Sequence, residues 1–284
     1  MKIKSYAKIN LSLIVEPLVN NSILHNIKSI ASQIDLYDMV SLNIIKDNKK
    51  INIFCDNEEV PCDNKNTVYK VLESLQKYAD LECGFKVHIE KNIPIKAGLG
   101  GGSSNAAYCL LLACKVLGLN YGIEDFKKIV LGLGSDIPLF FYQSSVYIEG
   151  TGNIIKPIKN KINPYILIIK IKKNGLNTKD VYKEYDKKTN NNKFNNKLIN
   201  SLESGNYEEV INNMYNDLEY PAIKLCPEIG KIKEKLLNLG FDFVMVSGSG
   251  SSVFAFTKDK KLINTTLTQF DNKIYFVKSC QKVY

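Results

Sequence analysis

Pro94-Ile95-Lys96-Ala97-Gly98-Leu99-Gly100-Gly101-Gly102-Ser103-Ser104 runs straight into a strongly apolar helical pattern, with Ala106, Leu110, Ala113, Cys114 and Leu117 on one face. A strand, Phe85 to Glu90, precedes it, so the glycines sit between a strand and the start of a buried helix. Unpaired backbone N–H groups and the positive end of the helix dipole then point to one place, where an anion is stabilised. Glycine lets the backbone come close to phosphate oxygens, and the two serines are suited to capping the helix or reaching a phosphate or its Mg²⁺. A flexible turn is the plainer reading, but this density of glycine makes a poor turn and a good cradle. No Gly-Lys-Ser/Thr ends the run, so it is not a P-loop, and the spacing is not that of a dinucleotide fingerprint.

Upstream of the run, Tyr6 to Val15, Ile27 to Leu36, Met39 to Ile45 and Ile51 to Cys55 read as strands between polar turns. One helix interrupts them over Asn66 to Ala79, with Asn66 or Thr67 as cap. Downstream, Gly118 marks a helix stop, Ile123 to Leu133 reads as a second helix, and Ser145 to Glu149 as a strand. The Gly, Asn, Lys and Pro content of Thr151 to Pro164 marks a domain junction. Beyond it the pattern predicts a strand at Tyr165 to Ile171, a segment from Thr178 to Tyr185, and a solvated Lys/Asn tract over 187–197. It continues with helices at Tyr207 to Met214 and Pro227 to Leu239, strands at Phe243 to Val246 and Ser252 to Thr257, a helix at Lys260 to Phe270 and a strand at Ile274 to Ser279. The layout is α+β with a mixed or antiparallel sheet.

The 284 residues are 45% hydrophobic and 24% charged, an ordinary globular composition with room for two cores. The net charge of +9 comes from 38 basic residues against 29 acidic ones, and every basic residue is a lysine. A lysine is a point charge without the bidentate fork of arginine, so a phosphate site here must rely on backbone N–H groups and ammonium groups. The lysines form no basic and aromatic stripe, which argues against nucleic acid and leaves an anionic small substrate as the better use of the charge. Seven cysteines without a Cys-x-x-Cys pair, and two histidines, suggest neither a disulfide framework nor a zinc site. No segment reads as a signal h-region or a membrane span, so the expectation is a cytoplasmic, reduced protein, a monomer or homodimer.

Three further features are candidates for chemistry. Asp136, in Gly134-Ser-Asp-Ile-Pro138, sits in a turn between apolar segments, where a carboxylate could be aimed into a cleft but is by itself more often a cap or turn residue. Lys8 is a lone lysine in a strand otherwise built for burial, and on its own pattern it reads equally as a surface lysine or a functional one. The loop Ser247-Gly-Ser-Gly-Ser-Ser252 is either a plain hairpin or a second wall of a phosphate site.

Four segments in order, Ser5 to Leu13, Pro94 to Ala107, Leu133 to Phe140 and Val246 to Phe254, together resemble the GHMP kinase superfamily. The resemblance implies a two-domain GHMP kinase fold: a ribosomal protein S5 domain 2-like N-terminal domain over 1–155 and a ferredoxin-like C-terminal domain over 156–284. It implies an ATP-dependent small-molecule kinase using Mg²⁺, with ATP held by residues 94–104. The Ala7-Lys-Ile-Asn-Leu11 start sets the chain apart from the mevalonate, homoserine and galactose branches. It resembles the branch that phosphorylates the 2-hydroxyl of 4-diphosphocytidyl-2-C-methyl-D-erythritol in the non-mevalonate isoprenoid pathway. By the same match Asp136 takes the hydroxyl proton and Lys8 holds that hydroxyl and the carboxylate. Asn10 and His25 contact the cytidylyl substrate, and Tyr182 stacks on cytosine. The segment Asn21-Ser-Ile-Leu-His25 departs from the usual Asp-Gly-Tyr-His, with Leu24 in place of an aromatic. A different acceptor on the same fold, such as mevalonate or a sugar alcohol, and a nucleotide binder without turnover are the alternatives.

Overall fold

The structure is a computed structural model that describes residues 1–18, 25–46, 48–173, 175–187, 194 and 196–284. Its residues gather into two compact units that interleave along the chain. The first comprises Met1–Ala7, Leu36–Ile93 and Gly100–Gln143; the second comprises Lys8–Asp35, Pro94–Leu99 and Ser144–Tyr284. Two long strands, β1 (Lys2–Val15) and β2 (Ile27–Ile45), contribute residues to both.

In the first unit the later half of β2 and β3 (Ile51–Cys55) flank β4 (Gly84–Glu90), antiparallel and parallel respectively. Val68, Val71, Leu72 and Leu75 form the buried face of α1 (Thr67–Tyr78), at the spacing of one helical stripe. Asn66 caps it, its side chain accepting from Val68 N at 2.9 Å. Helix α2 (Gly101–Leu117) packs against α1, is buried over most of its circumference and ends at Gly118, whose φ of 69° only glycine adopts without strain. Helix α3 (Ile123–Ile129) stops four residues before the expected Leu133; Gly132 turns the chain at φ 77°. A short 3₁₀ turn, Pro138–Phe141, follows.

The expected break between strands at 36–39 is absent, because β2 runs through it. Asp38 is polar and yet fully buried, its carboxylate satisfied by four donors, so it does not interrupt the strand.

In the second unit the early half of β2 pairs antiparallel with β5 (Ser145–Gly150), which turns at Gly150 and Gly152 into β6 (Ile154–Ile158). The Gly and Pro composition over 151–164 thus conceals an edge strand, where a proline is tolerated. A four-stranded antiparallel sheet is built from β7 (Tyr165–Ile171), β9 (Phe243–Val246), β10 (Val253–Thr257) and β11 (Tyr275–Cys280). Between β7 and β9 (Phe243–Val246) the chain forms α4 (Thr178–Tyr185), α5 (Lys197–Ser204), α6 (Tyr207–Asn213), the two-residue β8 (Tyr215–Asn216), α7 (Glu219–Leu225) and α8 (Pro227–Asn238). After β10 (Val253–Thr257) come α9 (Lys260–Leu267) and β11 (Tyr275–Cys280). The strand order β11-β7-β10-β9 with helices between is the ferredoxin-like arrangement. Its core joins Leu167, Ile169, Val244, Val246, Val253 and Ala255 of the sheet to buried residues of the helices. The segment from 215 to 226, β8 and α7, has no strong period and escapes a sequence reading. Of the Lys/Asn tract, 188–193 and 195 lie outside the described residues.

Candidate active site

Lys8 is buried within β1, and its ammonium group donates to Asn10 Oδ1. Asn10 in turn donates to Ser29 Oγ at 2.9 Å, and Ser29 donates to Ser12 O at 2.6 Å. A lysine and its partner on one face of a buried strand are thus fixed by a polar chain inside an apolar setting. The loop over 94–99 is docked on this strand through Lys8 N, which donates to Leu99 O at 3.0 Å.

The second glycine loop meets the first. Ser247 Oγ donates to Gly98 O at 3.0 Å, and Ser252 N donates to Ala97 O at 3.2 Å. A Cβ on Gly98 would stand 1.9 Å from Ser247 O, so only glycine permits the approach. Gly248, at φ 56°, brings its backbone against Lys8: a Cβ there would lie 3.2 Å from both Lys8 Nζ and Asn10 Oδ1. Asn216 holds this loop in place, donating to Val246 O and Gly248 O at 2.8 Å each. Sequence reasoning missed Asn216; an asparagine in an unperiodic segment carries no signal until the fold places it under the loop.

In the first unit, Ser104 N donates to Gly100 O at 2.8 Å as the first bond of α2, which leaves the N–H groups of Gly101, Gly102 and Ser103 outside the helix's own ladder. The two serines divide their roles. Ser104 is fully buried and ties the helix to β1, its Oγ donating to Tyr6 O at 2.6 Å and standing 2.7 Å from Ser5 Oγ. Ser103 stays half-buried beside the turn that bears Asp136, since a Cβ on Gly134 would lie 4.0 Å from Ser103 Oγ. Asp136 itself is half-buried at the lip of this turn, anchored by the buried Ile137, Leu139 and Phe140.

His25, Tyr182 and Tyr185 form one aromatic cluster in the second unit. The His25 ring lies 5.3 Å from Tyr182 and 6.0 Å from Tyr185. Its nitrogens face Glu16 O at 2.8 Å and Asp186 Oδ1 at 3.0 Å. Tyr185 donates to Val15 O at 2.7 Å, and burial pushes its phenol up to about 12, so it remains a neutral donor. Both His25 nitrogens therefore already face partners within the chain. Residues 21–24, including Leu24, lie outside the described residues.

Taken each within its own unit, the glycine backbone open at the start of α2, the buried Lys8 and the half-buried Asp136 are groups of the kinds that phosphoryl transfer uses. The GHMP kinases N terminal domain matches residues 66–144, and the GHMP kinases C terminal domain matches residues 198–275. The 4-diphosphocytidyl-2-C-methyl-D-erythritol kinase of Finegoldia magna is 35% identical over 279 residues, 98% of each chain. The chain belongs to the GHMP kinase family. Its similarity to the 4-diphosphocytidyl-2-C-methyl-D-erythritol kinase of Clostridium botulinum is 37% identity over 257 residues, 90% of each chain. Among solved structures, a 4-(cytidine 5'-diphospho)-2C-methyl-D-erythritol kinase matches with a TM-score of 0.80 over the whole of both chains at 22% identity. Homoserine kinase from Cytophaga hutchinsonii matches at 0.77, covering 99% of this chain and 94% of that one, with 18% identity. These two likenesses concern the GHMP kinase fold.

Phosphate fits the GHMP glycine run on the structure's own terms. A Cβ on Gly102 would meet nothing within 4 Å, so open space lies over the first turn of α2. Among the described residues no group of three or more His, Cys, Asp or Glu side chains is placed to hold a metal.

Proposed function

We propose that the chain transfers the γ-phosphate of Mg²⁺-bound ATP to the 2-hydroxyl of 4-diphosphocytidyl-2-C-methyl-D-erythritol. The observation that carries the reading is Lys8, a buried ammonium beside Asn10 and against Gly248. Burying an ammonium group carries a desolvation cost, so a lysine placed inside this apolar strand fits a role in handling the charge of a substrate. The names of the 35–37% identical relatives support the choice of acceptor.

In this reading residues 94–104 bind ATP. The loop backbone and the N–H groups at the start of α2 hold its phosphates, while the buried Ser104 acts only as an anchor. ATP supplies the phosphoryl group. Asp136 accepts the proton of the acceptor hydroxyl and Lys8 steadies that oxygen. Asn10, His25 and Tyr182 form the cytidylyl side, with base stacking on Tyr182 contributing about 1–3 kcal/mol. The catalytic work is positioning and charge stabilisation, which needs no arginine. In this reading the family's two domains divide near 155/156. The protein works in the cytoplasm as a monomer or homodimer and does not bind nucleic acid. Among the described residues no helix is long and apolar enough to cross a membrane.

The test is coupled ADP release with ATP, Mg²⁺ and the diphosphocytidyl methylerythritol, comparing the parent with Asp136→Asn. Turnover that falls at least ~100-fold in the variant is the expected result for a positioned base. ATP binding without turnover in the parent would refute the acceptor assignment.

A further inference from the structure

Asp38 was not among the residues that the sequence singled out, and the structure gives its carboxylate four donors. Its side chain is fully buried in the middle of β2. Oδ1 accepts from Asn92 N and Ile93 N, both at 2.7 Å, while Oδ2 accepts from Lys91 Nζ and from Asn105 Nδ2 at 2.9 Å. Lys91, Asn92 and Ile93 are the last residues before Pro94, and Asn105 is the first after Ser104. One carboxylate therefore grips the chain on both sides of the glycine run.

The grip extends to β1 with a fixed direction. Asn105 Nδ2 also donates to Ser5 Oγ at 3.0 Å. The hydrogen of Ser104 is spent on Tyr6 O, so the 2.7 Å contact between the two serines is a donation from Ser5 to Ser104. Each group in the chain from Asp38 to Tyr6 thus has a partner, which makes a buried polar network specific instead of merely costly. Lys91 Nζ comes within 3.2 Å of where a Cβ on Gly101 would be, so the cation of the pair lies behind the first turn of α2.

A buried ion pair is seldom more stabilising than apolar residues of the same volume, so its presence calls for a role in holding a particular geometry. The geometry at hand is that of a glycine-rich segment, which loses more conformational freedom on ordering than any other kind of chain. We infer that Asp38 is the positioning residue of the glycine run, holding its two ends at the separation that aims the loop and helix N–H groups at a nucleotide's phosphates. The inference rests on the reading that residues 94–104 bind ATP.

The experiment uses the full chain with Asp38→Asn, which turns two of the four donors against an amide, and Asn105→Ala, which releases only the trailing end. Steady-state kinetics should show KM for MgATP raised about tenfold in the first variant and about threefold in the second, with kcat and KM for the acceptor little changed. If Asp38→Asn fails to fold, Asn105→Ala carries the same test. Unchanged KM for MgATP in a folded variant, or both KM values and kcat moving together, overturns the inference. Amide hydrogen exchange separates this from failure of the phosphate site itself. In the parent chain, saturating MgATP should slow exchange across 94–104; if it does not, the ATP-site reading fails. If the parent is protected and both variants are protected to the same degree at the same MgATP concentration, the role given to Asp38 is wrong.

Discussion

Replacing Gly98 by alanine should separate the two glycine loops. The added Cβ would stand 1.9 Å from Ser247 O and 3.1 Å from Gly250 N. A carbon needs about 3.3 Å from a carbonyl oxygen, so the loops must part by roughly 1.4 Å. That movement breaks the bonds from Ser247 Oγ to Gly98 O and from Ser252 N to Ala97 O. Two such bonds are worth about 0.5–1.5 kcal/mol each, and an alanine held at φ 72° costs about 1–2 kcal/mol more. The loss of stability should therefore be about 2–5 kcal/mol, measured by urea unfolding. Misplacement by an ångström costs about 100-fold in catalysis, so kcat/KM for ATP should fall at least that far under conditions where the variant stays folded. Gly102→Ala is the contrast, because its Cβ meets nothing within 4 Å and it lies in a helix, where alanine is favoured by about 0.5–1 kcal/mol. It should be at least as stable as the parent while raising KM for ATP, since its methyl enters the space over the helix start. A Gly98→Ala protein with normal stability and kcat/KM within about threefold of the parent would refute the picture of two interlocked loops.

Tyr182→Ala should raise KM for the cytidylyl acceptor about tenfold, the scale of one lost stacking contact, and weaken competition by cytidine nucleotides, while KM for ATP stays put. Competition by cytidine nucleotides that survives the change would show that Tyr182 is only a core aromatic beside His25. The stability of α4, which carries Tyr182, should depend on acid. Hydrogen bonds from Lys187 and Lys224 hold the Glu184 carboxyl below its ordinary value of 4.5. With the folded value depressed, the contribution of Glu184 is complete above that ordinary value and disappears as pH falls through the folded one. Unfolding free energy measured from pH 7 to pH 3 should therefore fall less steeply at the acid end for Glu184→Gln than for the parent, and parallel curves would refute the assignment.

Elements with a strong period and segments with an unusual composition were legible in the amino-acid sequence. Helix α1 with its Asn66 cap, the buried α2 behind its glycines, and strands β3, β4, β7 and β9 all follow from side-chain spacing, which is local information. The glycine run, Lys8 in its apolar strand and the turn at Asp136 stood out for the same reason: each breaks the pattern around it. Which residues support them depends on the tertiary fold. Asp38 reads as a turn residue, and becomes part of a continuous strand because four donors from α2 and the segment after β4 converge on it. Asn216 is one asparagine among many until the fold sets it beneath Gly248. Ser103 and Ser104 are adjacent and chemically identical, yet their positions on the first turn of α2 send one into β1 and leave the other at the open end. Burial of a polar group is tolerable only when distant parts of the chain bring it partners, and no local spacing records where those partners will be.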